Sequence, residues 1–209
     1  MLTAREMLSG YARGIFPMAE SRGDPRLHWV DPRWRGVLPL DDLHISRSLR
    51  RRILRWNYTI RTNSAFPAII DACADRAETW INGPLAALYG QLHASGHGHS
   101  LEVWEGERLV GGVFGLSLGA AFFGESMFST RTDASKVALA YLVERLSRNG
   151  FTLFDTQFLT PHLKSLGGIE ISRVEYHRRL RRALQGSADF TAGPTPGPQE
   201  LTHRMSQTS

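Results

Sequence analysis

Residues 100–129 read SLEVWEGERLVGGVFGLSLGAAFFGESMFS, and this run limits the fold more than any other part of the chain. It is rich in β-branched and aromatic residues, has no helical period, and carries the turn signal "EGE", so it predicts an antiparallel meander. The segments after it differ in character. "DASKVALAYLVERLSRNG" predicts an amphipathic helix capped by Asp133 or Ser135 and ended by Gly150, and "FTLFDTQF" predicts a strand after it. "TPHLKSLGG" then predicts a short helix with Pro161 at its start, and "SRVE" a capping box before a last helix. Meander first, then helix, strand and helix, is the order of an α+β layered domain rather than of a doubly wound sheet.

Upstream, "TARE" forms a capping box in which Thr3 caps and Glu6 reaches back, opening a short helix that Gly14 stops. The segment from Gly14 to Leu40 is expected to be ordered loop with a short strand near Val37. From Leu43 to Ile70 there are six arginines and no acid. A helix beginning near Ser46 buries Ile45, Leu49 and Ile53 at helical spacing and turns Arg47, Arg50, Arg51 and Arg55 towards solvent, a basic ridge suited to a polyanion. "YTIRT" predicts a strand, and helices are expected from Ser64 to Ala74 and from Asn82 to Gly96. The expected organisation is a small N-terminal domain at 1–38, a main domain at 39–185 and, because "GSADFTAGPTPGPQELTHRMSQTS" is poor in apolar residues, a disordered tail at 186–209.

Several chemistries are disfavoured. The single cysteine, Cys73, rules out an internal disulfide and cysteine-based zinc, and it reads as a small buried hydrophobe. His93, His97 and His99 stand near one another but without an acid or thiol to complete a ligand set, so no metal is expected. There is no GxxxxGK[ST], and no GxGxxG opening a helix after a strand; Ser126 lacks the second glycine of a GxSxG elbow. No apolar run approaches the ~20 residues of a membrane span, and the N-terminus lacks a signal pattern, so a cytoplasmic protein is expected.

Three polar residues stand out in apolar strands. Glu125 lies in "AFFGESMFS", and an ionised carboxylate among apolar groups must be paired internally or meet a ligand. Strand alternation puts Asp155 and Gln157 on one face with Leu153, and Phe154, Thr156 and Phe158 on the other. The same alternation groups Phe123, Glu125 and Met127, provided Gly124 introduces no bulge. If the two strands are neighbours, the three polar groups converge, as a reaction site or as a buried network that only specifies the fold.

Taken together, "GIFPM", "LHISRSLRR", "DACADRAETWI", "GHGHSLEVWEGERLVGGVFGL", "FFGESMFS", "DASKVAL" and "LFDTQFLTPHLKSLGG" resemble the bacterial leucyl/phenylalanyl-tRNA-protein transferase family, in order from about residue 8 to residue 180. The resemblance implies a main domain like the acyl-CoA N-acyltransferase (GNAT) fold and no cofactor. It implies an enzyme that moves Leu or Phe, less readily Met, from aminoacyl-tRNA to the N-terminal Arg or Lys of acceptor proteins and so marks them for degradation; a monomer is expected. Carried onto these positions, Asp155 accepts a hydrogen bond from the Gln157 carboxamide, whose oxygen orients the attacking amine. Glu125 meets a cationic amine, and Phe122, Val113 and Met127 receive the Leu or Phe side chain. Met18, which stands where some relatives have Trp, and Trp80 complete the substrate-binding set, with stacking on the terminal adenosine falling to Trp80. The ridge of Arg47, Arg50, Arg51, Arg52 and Arg55 takes the tRNA phosphates. The alternatives are an acyl-CoA N-acyltransferase, for which the Arg/Gln-x-x-Gly-x-Gly/Ala loop is missing, and a non-catalytic tRNA-binding module.

Overall fold

The computed structural model describes residues 2–206. Its first half runs α1 (Ala4–Ala12), β1 (Phe16–Met18), β2 (His28–Val30), β3 (Trp34–Val37), α2 (Arg47–Arg55), β4 (Thr59–Thr62), α3 (Phe66–Ala74) and α4 (Gly83–Ala94). The second half runs β5 (Gly98–Glu105), β6 (Arg108–Leu118), β7 (Ala121–Ser129), α5 (Ala134–Arg148), β8 (Leu153–Gln157), α6 (Pro161–Lys164), β9 (Ile169–Ser172), α7 (Arg173–Gln185) and α8 (Pro198–Ser206). β1 and β2 form a small ribbon, and the other strands form one sheet in the order β4-β5-β6-β7-β8-β3-β9.

The meander β5-β6-β7 sits in the middle of that sheet, as the strand run predicts. Every neighbouring pair is antiparallel except β7 and β8. Parallel neighbours need a crossover, and α5 is that crossover. Both faces of the sheet are covered, giving an α+β domain of three layers. One core joins the sheet to α1, α3, α4 and α7 through residues such as Met7, Tyr11, Ile69, Leu85, Phe123 and Tyr176. The other joins it to α2, α5, α6 and α8 through Leu49, Ile53, Phe122, Leu142, Phe154 and Leu201. Among the described residues no helix is long and apolar enough to cross a membrane.

Local signals act as written in the sequence. Thr3 accepts from the Glu6 amide at 3.2 Å while Glu6 accepts from the Thr3 amide at 2.9 Å. Ser46 caps α2, and Asn82 caps α4. α3 has no side-chain cap of its own; buried Glu102 of β5 accepts instead from the Ser64 and Ala65 amides at 2.9 and 2.8 Å. The "SRVE" box is half formed, since Ser172 accepts from the Glu175 amide but Glu175 turns to Arg178 and Arg179.

Four expectations change. The segment expected to be loop before Val37 holds the ribbon of β1 and β2. Residues 34–37, assigned to a separate N-terminal unit, form β3 inside the main sheet, between β8 and β9, and β9 itself is a strand the sequence does not predict. Sequence spacing cannot show this, because both partners come from more than a hundred residues downstream. The tail is not disordered over its described part. Phe190, Leu201 and Met205 are buried in the second core, Arg145 donates to the Phe190 carbonyl at 2.9 Å, and Asn149 donates to that of Ala192 at 2.8 Å. A segment too poor in apolar residues to build a core can still order itself by inserting a few into one that exists. Residues 207–209 of the expected tail lie outside the described residues. Finally, β7 carries a bulge: Phe114 pairs with Ser126 but Gly115 with Gly124, so Glu125 is the extra residue. Phe123 therefore stays in the first core against Tyr11, whereas Met127 packs against the second.

Candidate active site

The bulge is where the site opens. β7 and β8 pair only as far as Phe123 and Asp155; beyond that point a cavity of about 230 Å³ lies between residues 124–127 of one strand and 156–158 of the other. Val113, Met127, Leu139, Phe154 and Leu163 give it apolar walls, with Trp80 and Arg76 among its lining. Gly124 is required at this junction, since a Cβ there would meet the Phe154 ring at 2.8 Å.

Glu125 and Gln157 form the polar part of the lining. Glu125 is buried and has no cationic partner among the described residues; it accepts from the Tyr11 hydroxyl at 2.7 Å, the Tyr89 hydroxyl at 2.8 Å and the Gln157 carboxamide nitrogen at 3.2 Å. Burial pushes its carboxyl up to about 7, against those three hydrogen bonds, which favour the ionised form. The two tyrosines, buried beside that carboxylate, are held well above the ordinary phenol value. Gln157 ends β8 in the left-handed region at φ 62, a conformation uncommon for a side chain with a Cβ. β3 passes directly beneath this turn, and only a glycine fits: a Cβ on Gly36 would lie 2.6 Å from the Phe158 carbonyl carbon.

Asp155 sits under the cavity rather than in its wall. Its carboxylate takes a two-point hydrogen bond from Arg35, Nε at 2.9 Å and Nη2 at 2.7 Å, and a third from the Tyr176 hydroxyl at 2.7 Å. Both members of the ion pair are buried. Asp155 prevails over burial at the guanidinium and keeps Arg35 above its ordinary value.

Convergence of Glu125, Asp155 and Gln157 follows from the parallel neighbours β7 and β8. Their bonding differs from the expectation. Asp155 accepts from the Gln157 main-chain N–H at 2.8 Å, not from its carboxamide, which Glu125 holds instead. The left-handed turn at Gln157 explains this, because it swings the side chain towards β7. Phe122 is also displaced from the expected lining: it faces the second core, stacked with Phe190 and edge-on to Phe154. Met18, half-buried in β1, packs on the first core and does not line the cavity. Val113, Met127 and Trp80 do line it. Tyr11, Tyr89, Arg35, Tyr176, Leu139 and Leu163 were not singled out from the sequence, where each reads as ordinary helix or strand.

The arginine ridge is solvent-exposed at Arg47, Arg50, Arg51, Arg52 and Arg55. Arg51, Arg52 and Arg55 line a groove of about 450 Å³ with Trp56 and Asn57, and Arg52 reaches Asp133 before α5 at 3.7 Å. The three histidines are otherwise engaged, His93 with the Gly98 carbonyl, His97 with that of Ser117, and His99 with Asn63 and Ser117.

A family model described as leucyl/phenylalanyl-tRNA protein transferase matches residues 37–181, and one described as the N-terminal domain of that transferase matches residues 1–33. The chain belongs to the leucyl/phenylalanyl-tRNA protein transferase family. Among curated members, the protein of that name from Cereibacter sphaeroides strain KD131 is 64% identical over 209 residues, covering 100% of this chain and 98% of the relative. The Ruegeria pomeroyi protein is 60% identical over 203 residues, with 97% of each chain covered. That of Paracoccus denitrificans is 52% identical over 208 residues, covering 100% of this chain and 98% of its own. The family match thus spans β7, β8 and every cavity residue named above.

Proposed function

We propose that this chain is an aminoacyltransferase that moves Leu or Phe, and less readily Met, from aminoacyl-tRNA to the N-terminal Arg or Lys of acceptor proteins, marking them for degradation. The observation that carries the reading is the apolar cavity with the Glu125–Gln157 pair in its wall. We extend the same reading to the fold, as GNAT-like; the crossover from β7 through α5 to the parallel strand β8, with the cavity at their divergence, supports it.

An aminoacyl ester is already activated, and an α-amine with a pKa near ~8 is partly neutral at physiological pH, so transfer needs no covalent intermediate. The amine nitrogen bonds to the ester carbonyl carbon, the bond from that carbon to the ribose oxygen breaks, and the proton shed by nitrogen ends on that oxygen. Alignment is the larger contribution, up to ~7–11 kcal/mol for well-placed reactants. Gln157 supplies it. Its nitrogen is committed to Glu125, which leaves the carboxamide oxygen, with no protein partner among the described residues, to accept from the amine. Val113, Met127, Leu139 and Leu163 receive the aminoacyl side chain; a narrow neck rejecting β-branched residues would discriminate by about 1–3 kcal/mol. Trp80, edge-on to Tyr89 at 6.3 Å, is the stacking surface for the terminal adenosine.

The exposed arginines of α2 hold the tRNA through phosphates and shape. Neutralising Arg50, Arg51 and Arg52 is expected to weaken every aminoacyl-tRNA alike and to flatten the salt dependence by about 0.7–0.9 in log–log slope for each phosphate no longer neutralised. Incubation with labelled leucyl-tRNA and a peptide beginning with Arg decides the function. Label in the peptide supports it; binding of tRNA with no transfer, or transfer from an acyl-CoA instead, rejects it.

A further inference from the structure

The Asp155 carboxylate is fully spent inside the protein. Oδ1 accepts from Arg35 Nε and from the Gln157 amide; Oδ2 accepts from Arg35 Nη2 and the Tyr176 hydroxyl. Arg35 is as deeply engaged: it is 1% exposed, its Nη1 donates to the Gly14 carbonyl at 3.0 Å, and its guanidinium lies 4.6 and 4.2 Å from the ring centres of Phe16 and Tyr176. The two faces of that guanidinium and its fork leave it little freedom to turn. On the other side of Asp155 stands Gln157, in a left-handed backbone conformation that persists only when surroundings impose it.

We propose that Arg35 is a positioning residue for transfer. Through Asp155 it holds the Gln157 main chain in the left-handed turn that delivers the carboxamide to Glu125, and the charge of Asp155 serves this clamp rather than the carboxamide or the amine. The assignment rests on the transferase reading. It makes Asp155 and Arg35 replaceable as a pair but not singly, which no role for Asp155 as a charge acting on the reacting groups allows.

Asp155→Asn keeps an oxygen for the Gln157 amide but leaves Arg35 buried without a counter-charge; Arg35→Met strands the carboxylate; the double variant buries neither charge. In the full-length protein, with leucyl-tRNA and a peptide beginning with Arg, each single variant is expected to lose about 10²-fold in kcat with KM for the peptide little changed, and the double variant to regain about tenfold or more. A double variant that melts like the wild type yet transfers no faster than Asp155→Asn overturns the proposal. If the single variants do not fold, the double variant is compared with wild type directly, and Arg35→Lys, which keeps the charge and loses the fork, is expected to lower kcat about tenfold at unchanged KM. Wild-type kcat in Arg35→Lys also overturns it. Hydrogen exchange at the Gln157 amide reads the clamp without any transfer, so it stands even if the transferase reading fails. Slow exchange in wild type with faster exchange in both the double variant and Arg35→Lys supports the clamp; equal exchange in all three rejects it.

Discussion

β7 and β8 each bring one buried carboxylate to the same corner of the molecule, and the two are held in opposite ways. Asp155 is met by a guanidinium and is locked as an ion pair. Among the described residues Glu125 is met only by neutral donors, two phenols and a carboxamide, and burial carries its carboxyl up to about 7. Equally deep burial thus admits unlike partners, and at Glu125, where the donors are neutral, burial prevails. The ion pair belongs to the scaffold, and the acid raised to about 7 belongs to the cavity. Glu102, equally buried, shows a third outcome, in which main-chain amides at a helix start consume the carboxylate.

That contrast can be broken most severely at Asp155. Asp155→Ala strands Arg35 in the core and is expected to cost about 3–5 kcal/mol in chemical denaturation. Next is the junction between the two acids: Gln157→Ala is expected to lower turnover by roughly 10- to 10³-fold while leaving aminoacyl-tRNA affinity nearly unchanged, as measured by single-turnover kinetics and filter binding. Wild-type transfer by that variant removes Gln157 from the site.

Two smaller effects sharpen the comparison. The Glu125 carboxyl lies above its unfolded value of 4.5, so the folded state binds the proton more tightly, and stability falls as pH rises from about 4.5 to about 7. The full penalty, on the order of 3 kcal/mol, is present above that window. Melting of Glu125→Gln across it is expected to lack this decline; an unchanged decline assigns it to another group. Tyr89→Phe removes one donor to the ionised form and is expected to move the Glu125 midpoint up by about one pH unit, read from the carboxyl carbon by NMR.

Local signals were readable because their partners lie within a turn or two. The Thr3 box, the Ser46 and Asn82 caps, the β5-β6-β7 meander and the face shared by Leu153 and Asp155 all follow from spacing of a few residues. The corner itself was only half legible. The notion of Glu125, Asp155 and Gln157 meeting required just that β7 and β8 be neighbours. The bond between Asp155 and the carboxamide failed, and so did Phe122 as a lining residue. The first depended on the left-handed conformation of Gln157, and the second on Phe190 arriving from the tail to stack on Phe122.

By itself the chain's sequence determined most of the helices and the central strands, which faces of those helices are apolar, and that Glu125 must find partners. Only the tertiary structure decided who those partners are. Tyr11 reaches Glu125 across 114 positions of sequence and Arg35 reaches Asp155 across 120, and Phe190 orders a tail that looked unable to order itself. Periodicity is written by neighbours three or four residues apart, whereas the state of a buried charge is set by whatever the fold places within about 3 Å of it.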